Sequence, residues 1–366
     1  MDTLRVPAPI GRLAMWLQVT SPWRVLGLAA LARTAICGIW TTPNIDQWLL
    51  FARDPYGTPA IDPAAQFITA SPLGPLVAHT VGAHDRFPYA LVHLALLVLS
   101  VTSFVTLGRR VIGDRLTTAM VVVLFASPLS NVVLTWLGQP DAAMLGGLSV
   151  LGLASGIGMQ FRRIAAALGA GAVMGFASFE QGLIALVVLA IASWAADGPG
   201  DREVVLAAMA GLLIGRGGVA AFLAASDAPN VTRSEWARSL GYGVFLRTFL
   251  YNLPAVVFSM FGAGWLLVGH GVARLRAAVP PSRYVVPALI ISLAVGAIAL
   301  DQTRVVSMVV WPTAIWLLRR ADEASDAGLD PVVVALTLVG GLVIPPVVIW
   351  EGSPYISSWF EIRQGW

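Results

Sequence analysis

The sequence predicts an all-α, polytopic bundle of transmembrane helices, and three observations carry that prediction. Hydrophobic residues form 57% of the 366-residue chain and charged residues only 12%, about half the charged share of a soluble domain. Mean hydropathy is +0.78, so polar groups cannot cover a globule and lipid has to act as solvent. Apolar runs close to the ~20 residues that span a bilayer recur from end to end. The gaps between them are alternately rich and poor in arginine.

Apolar runs near 23–40, 87–107, 116–136, 142–159, 164–178, 182–196, 204–225, 252–272, 284–300, 305–318 and 330–350 give eleven spans in a single membrane domain, 1–366. The first is read as uncleaved, because Ile36 ahead of Cys37 is too bulky for a lipoprotein cleavage site. The 164–178 and 182–196 runs are short and separated only by "FEQG". They form either a tight hairpin or a broken, re-entrant pair. The spacings Gly152/Gly156, Gly171/Gly175 and Gly211/Gly215 are small-xxx-small patterns, expected to let helices pack closely.

Orientation follows from the basic residues, all 23 of which are arginine. With the N-terminus inside, the inner segments 1–22, 108–115, 160–163, 197–203, 273–283 and 319–329 hold Arg5, Arg12, Arg109, Arg110, Arg115, Arg162, Arg163, Arg202, Arg274, Arg276, Arg283, Arg319 and Arg320. That bias fits eleven spans and leaves the C-terminus outside. Outside lie two substantial loops, 41–86 and 226–251. A formal charge of +3 without a basic run gives no nucleic-acid signal. Cys37 stands alone, so no intramolecular disulfide forms. There is no P-loop, dinucleotide fingerprint or HExxH, and His79, His84, His93 and His270 lack ligand-like spacing.

Four turns break the apolar chain with an acid within two residues of a glutamine: "NIDQW", "GQPDA", "SFEQG" and "LDQTR". All four fall on the outer side of the expected topology. In the first, "DQWLLFARD" has helical apolar spacing suited to an interfacial helix. Asp46 sits at its start and Asp54 at its end. Asp46 reads equally as a helix cap and as a general base for a hydroxyl at the membrane surface. Asp301 and Arg304, three apart, share a helical face and can pair. Alternatively Arg304 meets an anionic ligand, oriented by Asp301 or Gln302, because its planar fork suits phosphate oxygens. Asp141 follows Pro140 in a first turn, where capping explains it, while Gln139 lacks that explanation. Glu180 breaks an apolar stretch at or just under the outer surface, and a carboxylate at such depth is a functional candidate by default.

Two arginines fall within spans. Arg33 is placed to snorkel outward. Arg216, flanked by Gly215, Gly217 and Gly218, marks a locally broken helix lining a polar cavity. In the 226–251 loop Arg233, Arg238 and Arg247 alternate with aromatic residues. That mixture suits an amphipathic helix on anionic headgroups, and also a lipid-linked phosphate entering from the side.

The layout resembles the GT-C superfamily of integral-membrane glycosyltransferases, which use polyprenyl-phosphate sugars as donors. The resemblance rests on an uncleaved first span, a long outer loop with an early acid in "IDQWLLFARD", the segment "ASPLGPLVA", the middle-span start "GQPDAAMLGGLSVLGLA", and a late outer arginine in "LDQTRV". It implies inverting transfer of a sugar to a cell-envelope glycan or lipid acceptor on the outer face of the inner (cytoplasmic) membrane. Asp46 would be the general base. Arg304, with Arg233, Arg238 and Arg247, would bind the donor phosphate. Asp54, Gln139, Asp141, Glu180, Asp301, Gln302 and Arg216 would support substrates. The chain departs from relatives with two adjacent acids, since Gln47 follows Asp46, and it lacks an outer C-terminal domain. A divalent metal is left open as a cofactor, with no ligand assigned. Two other classes remain: a polymerase or ligase of lipid-linked glycans, and a transporter or flippase using Arg216 and Glu180.

Overall fold

A computed structural model describes residues 7–356, apart from 197–198, 230, 232–234, 236–237, 239–240, 300, 325–327 and 351–352. The described chain is helical almost throughout. Its helices are α1 (Ala8–Val19), α2 (Pro22–Cys37), α3 (Ile45–Arg53), α4 (Leu73–Thr80), α5 (Arg86–Val111), α6 (Gly113–Ala126), α7 (Pro128–Thr135) and α8 (Asp141–Ala154). There follow α9 (Gln160–Ala195), α10 (Pro199–Ala224), α11 (Tyr242–Ser259), α12 (Trp265–Leu275), α13 (Val285–Gly296), α14 (Gln302–Glu323) and α15 (Pro331–Val343).

Among the described residues, α5, α9 and α10 are long and apolar enough to cross a membrane, and two bent pairs pass together. The run expected over 116–136 is one such pair. Pro128 has no N–H and holds Ser127 extended, so α6 and α7 meet at a 66° bend. The run over 252–272 is the other: α11 and α12 meet at 64°. The bend lies at Gly262, whose φ of +55° suits glycine and whose Cα leaves no room for a side chain beside the Ala126 carbonyl. The last span expected, 330–350, ends early. α15 stops at Val343 and an antiparallel hairpin follows, β1 (Val347–Trp350) with β2 (Ser353–Ile356). A short helix, α1, lies ahead of the first expected span.

The region 160–224 resolves the question of the two short runs. Gly171 packs on Ala208, Gly175 on Leu212 and Arg216, and Gly215 on Ala172 and Phe176. Both sets of residue numbers rise together, so the first half of α9 and α10 run parallel. Glu203 confirms this at their starts, accepting from Arg163 at 2.7 Å and Gln160 at 3.2 Å. Parallel neighbours joined in sequence need a return path, and residues 179–195 supply it. The reversal is at Ser178 (φ −161°, ψ 93°), and Gly182 lies back against Met174. The chain therefore folds back as a hairpin at the residue immediately before the expected "FEQG" gap, and without a loop. The glycine pairs serve close packing, as their spacing indicated.

Two polar layers mark opposite ends of the bundle. At one end Asp201, only 3% exposed, binds Arg319 (3.0 Å), Arg320 (2.6 Å) and the Trp316 indole (3.0 Å). Arg109–Asp114 and Arg163–Glu203 pairs, at 2.8 and 2.7 Å, lie at the same end. At the other end, about 22 Å along α14 at 1.5 Å per residue, Arg304 meets Asp301 and Asp141. The arginine-rich gaps of the sequence gather in the first layer, and the acid–glutamine turns "NIDQW", "GQPDA" and "LDQTR" in the second.

Candidate functional site

The site is built on the turn 136–141 that ends α7 and starts α8. Gly138, at φ +108°, lies against Ile45 and Tyr89, and a Cβ there would approach Ile45 Cδ1 to 2.6 Å. Glycine is the residue this position accepts. The Tyr89 hydroxyl donates to the Gly138 carbonyl at 3.1 Å. The 41–86 loop is tied to the same turn: Thr42 N–H donates to Leu137 O at 2.8 Å, and Gln139 Nε2 donates to Thr42 Oγ1 at 2.7 Å. Gln139 thus locks the entry to α3 onto the start of α8.

Below this lock Asp141 begins α8 and is 1% exposed. Arg304, 6% exposed, places Nη1 3.6 Å from Asp141 Oδ2 and Nη2 against Asp301 Oδ2. Its guanidinium carbon also stands 6.0 Å from the centre of the Trp136 ring. The Arg304–Asp301 pair on one helical face is as the spacing of "LDQTR" indicated. The 3.6 Å contact is an ion pair, too long for a hydrogen bond. The three groups carry a formal charge of −1, with Asp141 and Arg304 buried and Asp301 partly exposed. Gln302, next in sequence, is fully buried with neither amide atom hydrogen-bonded. Thr303 Oγ1 accepts from Ile349 N–H at 2.9 Å, so the C-terminal hairpin is latched to the start of α14.

Asp46 sits in the first turn of α3, and Asn44, not Asp46, is the N-cap residue. The Asp46 side chain is 69% exposed, and both its oxygens accept from Arg86 Nη2, at 2.9 and 3.0 Å. Sequence reasoning did not pair Arg86 with it, because 40 residues separate them. Asp54 turns back to accept from Gly57 N–H at 3.1 Å, and Gln47 accepts from Asp62 N–H at 2.8 Å. Both act locally in the loop.

Glu180 is half-buried just past the Ser178 reversal, and Gln181 beside it is 2% exposed with both amide atoms unpartnered. Arg216 is not at mid-span and does not break a helix. α10 is continuous through it, and its guanidinium carbon lies 5.6 Å from the Phe179 ring centre. It therefore sits level with the hairpin tip, and Gly215 is used for contact with α9. Arg33 does not snorkel. It is 2% exposed and donates from Nη2 to the Phe125 carbonyl, freed by the α6–α7 bend. Arg238 and Arg247 are exposed; Arg233 lies outside the described residues. No group of three or more His, Cys, Asp or Glu side chains fit for a metal ion exists among the described residues.

The arrangement offers three things: an exposed acid beside an arginine, a buried arginine between two acids, and carboxamides with unused hydrogen-bonding capacity. No family model, no curated protein and no solved structure matches this chain.

Proposed function

We propose that the protein is an integral-membrane glycosyltransferase. It moves a sugar from a polyprenyl-phosphate donor to a cell-envelope glycan or lipid acceptor outside the cytoplasmic membrane. The observation that carries this reading is the buried Asp141–Arg304–Asp301 constellation, tied through Gln139 and Thr42 to the helix that bears the exposed Asp46. On this reading the chain crosses the membrane eleven times, with the Asp201–Arg319–Arg320 end in the cytoplasm.

Asp46 is open to an acceptor arriving from outside and takes the proton of its hydroxyl. That oxygen attacks the anomeric carbon from the face opposite the phosphate, and the carbon–oxygen bond to the lipid phosphate breaks. Arg304 balances the charge left on the phosphate. In the resting arrangement Asp301 and Asp141 already neutralise Arg304, so a phosphate reaches it by displacing the looser partner, Asp141 at 3.6 Å. Arg238, exposed ahead of α11, and Arg247, exposed on α11, draw the anionic donor in from the side. Gln139, Glu180, Gln302 and Arg216 border the sugar path, and Asp54 holds the loop.

The test compares envelope glycans in a deletion strain expressing wild type, Asp46→Asn or Arg304→Ala at matched levels. Both variants are expected to leave the truncated glycan of the deletion, and the missing sugar identifies the donor. Full restoration by both would overturn the reading. One observation favours a second reading: the constellation is net acidic and its Asp141 is buried, as in a proton-coupled carrier. In that case Asp141→Asn abolishes pH-driven flux of lipid-linked sugar into proteoliposomes, while Asp46→Asn does not.

A further inference from the structure

A cavity of about 290 Å³ lies between α2, α5, α6, α7 and α8, and none of Asp141, Asp301 and Arg304 lines it. Its walls are almost wholly apolar, with Ala30, Leu97, Val101, Leu124, Leu134 and Leu145 among them. One charged side chain lines it, Arg33. This arginine is 98% buried in the sense that 2% of its surface is exposed. Nη2 is used by the Phe125 carbonyl and the Phe125 ring lies 4.6 Å from the guanidinium carbon, but Nε and Nη1 have no hydrogen-bond partner. No acid joins it among the described residues: its other polar partner is the Cys37 thiol, a weak hydrogen-bonding group that brings no full charge. A guanidinium left this way in an apolar site is costly, and buried charges in proteins are paired.

We propose that this groove binds a single-chain lipid whose head is a carboxylate, of the fatty-acid class, with the chain along α5 and the carboxylate on Arg33. Three features select that ligand. The volume lies at the small end of ligand pockets and suits one chain, not the body of a two-chain lipid. A single guanidinium, with no second cation on the lining, balances a monoanion and leaves a phosphate monoester under-neutralised. Arg33 lies four residues before the end of α2, about 6 Å beneath it, so the head is buried below the polar loop and must be small.

The experiment uses the full chain in maltoside micelles with palmitate carrying a photoreactive diazirine in mid-chain. After illumination, peptides are mapped by mass spectrometry. The expected result is one adduct per chain, concentrated on Leu97, Val101 or Leu124, and chased by plain palmitate. Arg33→Leu should lower the yield roughly tenfold, the loss expected for one charge-assisted contact. Because that variant also removes the Phe125 contact, Ala30→Trp serves as a second: Ala30 is exposed at the mouth, so the indole blocks entry without entering the core. It should abolish the adducts while the melting temperature stays unchanged. Adducts spread evenly over other lipid-facing residues such as Ile290 and Leu336 would overturn the proposal. So would equal competition by a lysophosphatidic acid, or a yield indifferent to both variants.

Discussion

At the scale of single residues, burial separates groups that look equivalent in sequence. Asp46 and Asp141 are each an acid near the start of a helix, yet the first is exposed and the second is 1% exposed against Arg304. Their stability contributions should differ accordingly. Asp46→Asn removes an exposed pair with Arg86 and should change stability by less than ~1 kcal/mol. Arg304→Gln leaves Asp141 and Asp301 facing each other without their cation, and should cost about 3–5 kcal/mol. Adding Asp141→Asn to Arg304→Gln should recover part of that loss. Thermal unfolding in detergent, read by loss of monomer on size exclusion, measures all three; a double variant no better than the single would show that the pair is not coupled. The same contrast governs function: the exposed acid is tested by activity alone, the buried set by activity and fold together.

At the scale of elements, glycine determines which helices touch. Gly175 sets α9 against the Leu212 carbonyl and the Arg216 amide of α10, and both are backbone atoms that cannot swing away. Gly175→Leu is therefore expected to separate the parallel pair and yield aggregated protein. Gly217→Leu, where nothing lies within 4 Å, should fold normally in the same expression test, and equal yields would refute the packing role. Proline acts on the opposite principle, by breaking. Pro128 ends α6 and leaves the Phe125 carbonyl to Arg33 and to Ser130 Oγ, the latter at 3.1 Å. The bend also swings α7 toward Trp40, whose N–H donates to Leu134 O at 3.0 Å.

For the whole molecule, the two polar layers define a polarity that labelling can read. In a Cys37→Ser background, cysteines placed singly at Asp85 and Asp227 should react with an impermeant maleimide added to intact cells. Cysteines at Arg110 and Gln160 should react only after lysis. The reverse pattern would invert the topology and place Asp46 in the cytoplasm, removing the basis for an outer-face transferase. The Asp201 layer holds its helices by charge: Asp201 binds α14 through Arg319 and Arg320, and Ser155 at the end of α8 accepts from Arg319 at 2.8 Å. Sequence reading treated these arginines as markers of sidedness. Their side chains are also partners of a buried acid, which composition does not reveal because Asp201 is more than a hundred positions away.

The sequence by itself determined that this chain is helical and apolar, where its polar turns fall, that Asp301 and Arg304 share a face, and that its glycine pairs pack helices. Each of these is local: composition, a 3.6-residue period, or a spacing of three or four. Only the tertiary structure decided that Asp46 faces Arg86, that Asp141 lies against Arg304, that Arg33 caps a broken helix beside a cavity, and that α9 reverses at Ser178. Those depend on which helices become neighbours. Neighbours in a bundle are chosen by packing across tens to hundreds of residues, and a one-dimensional pattern carries no record of that choice.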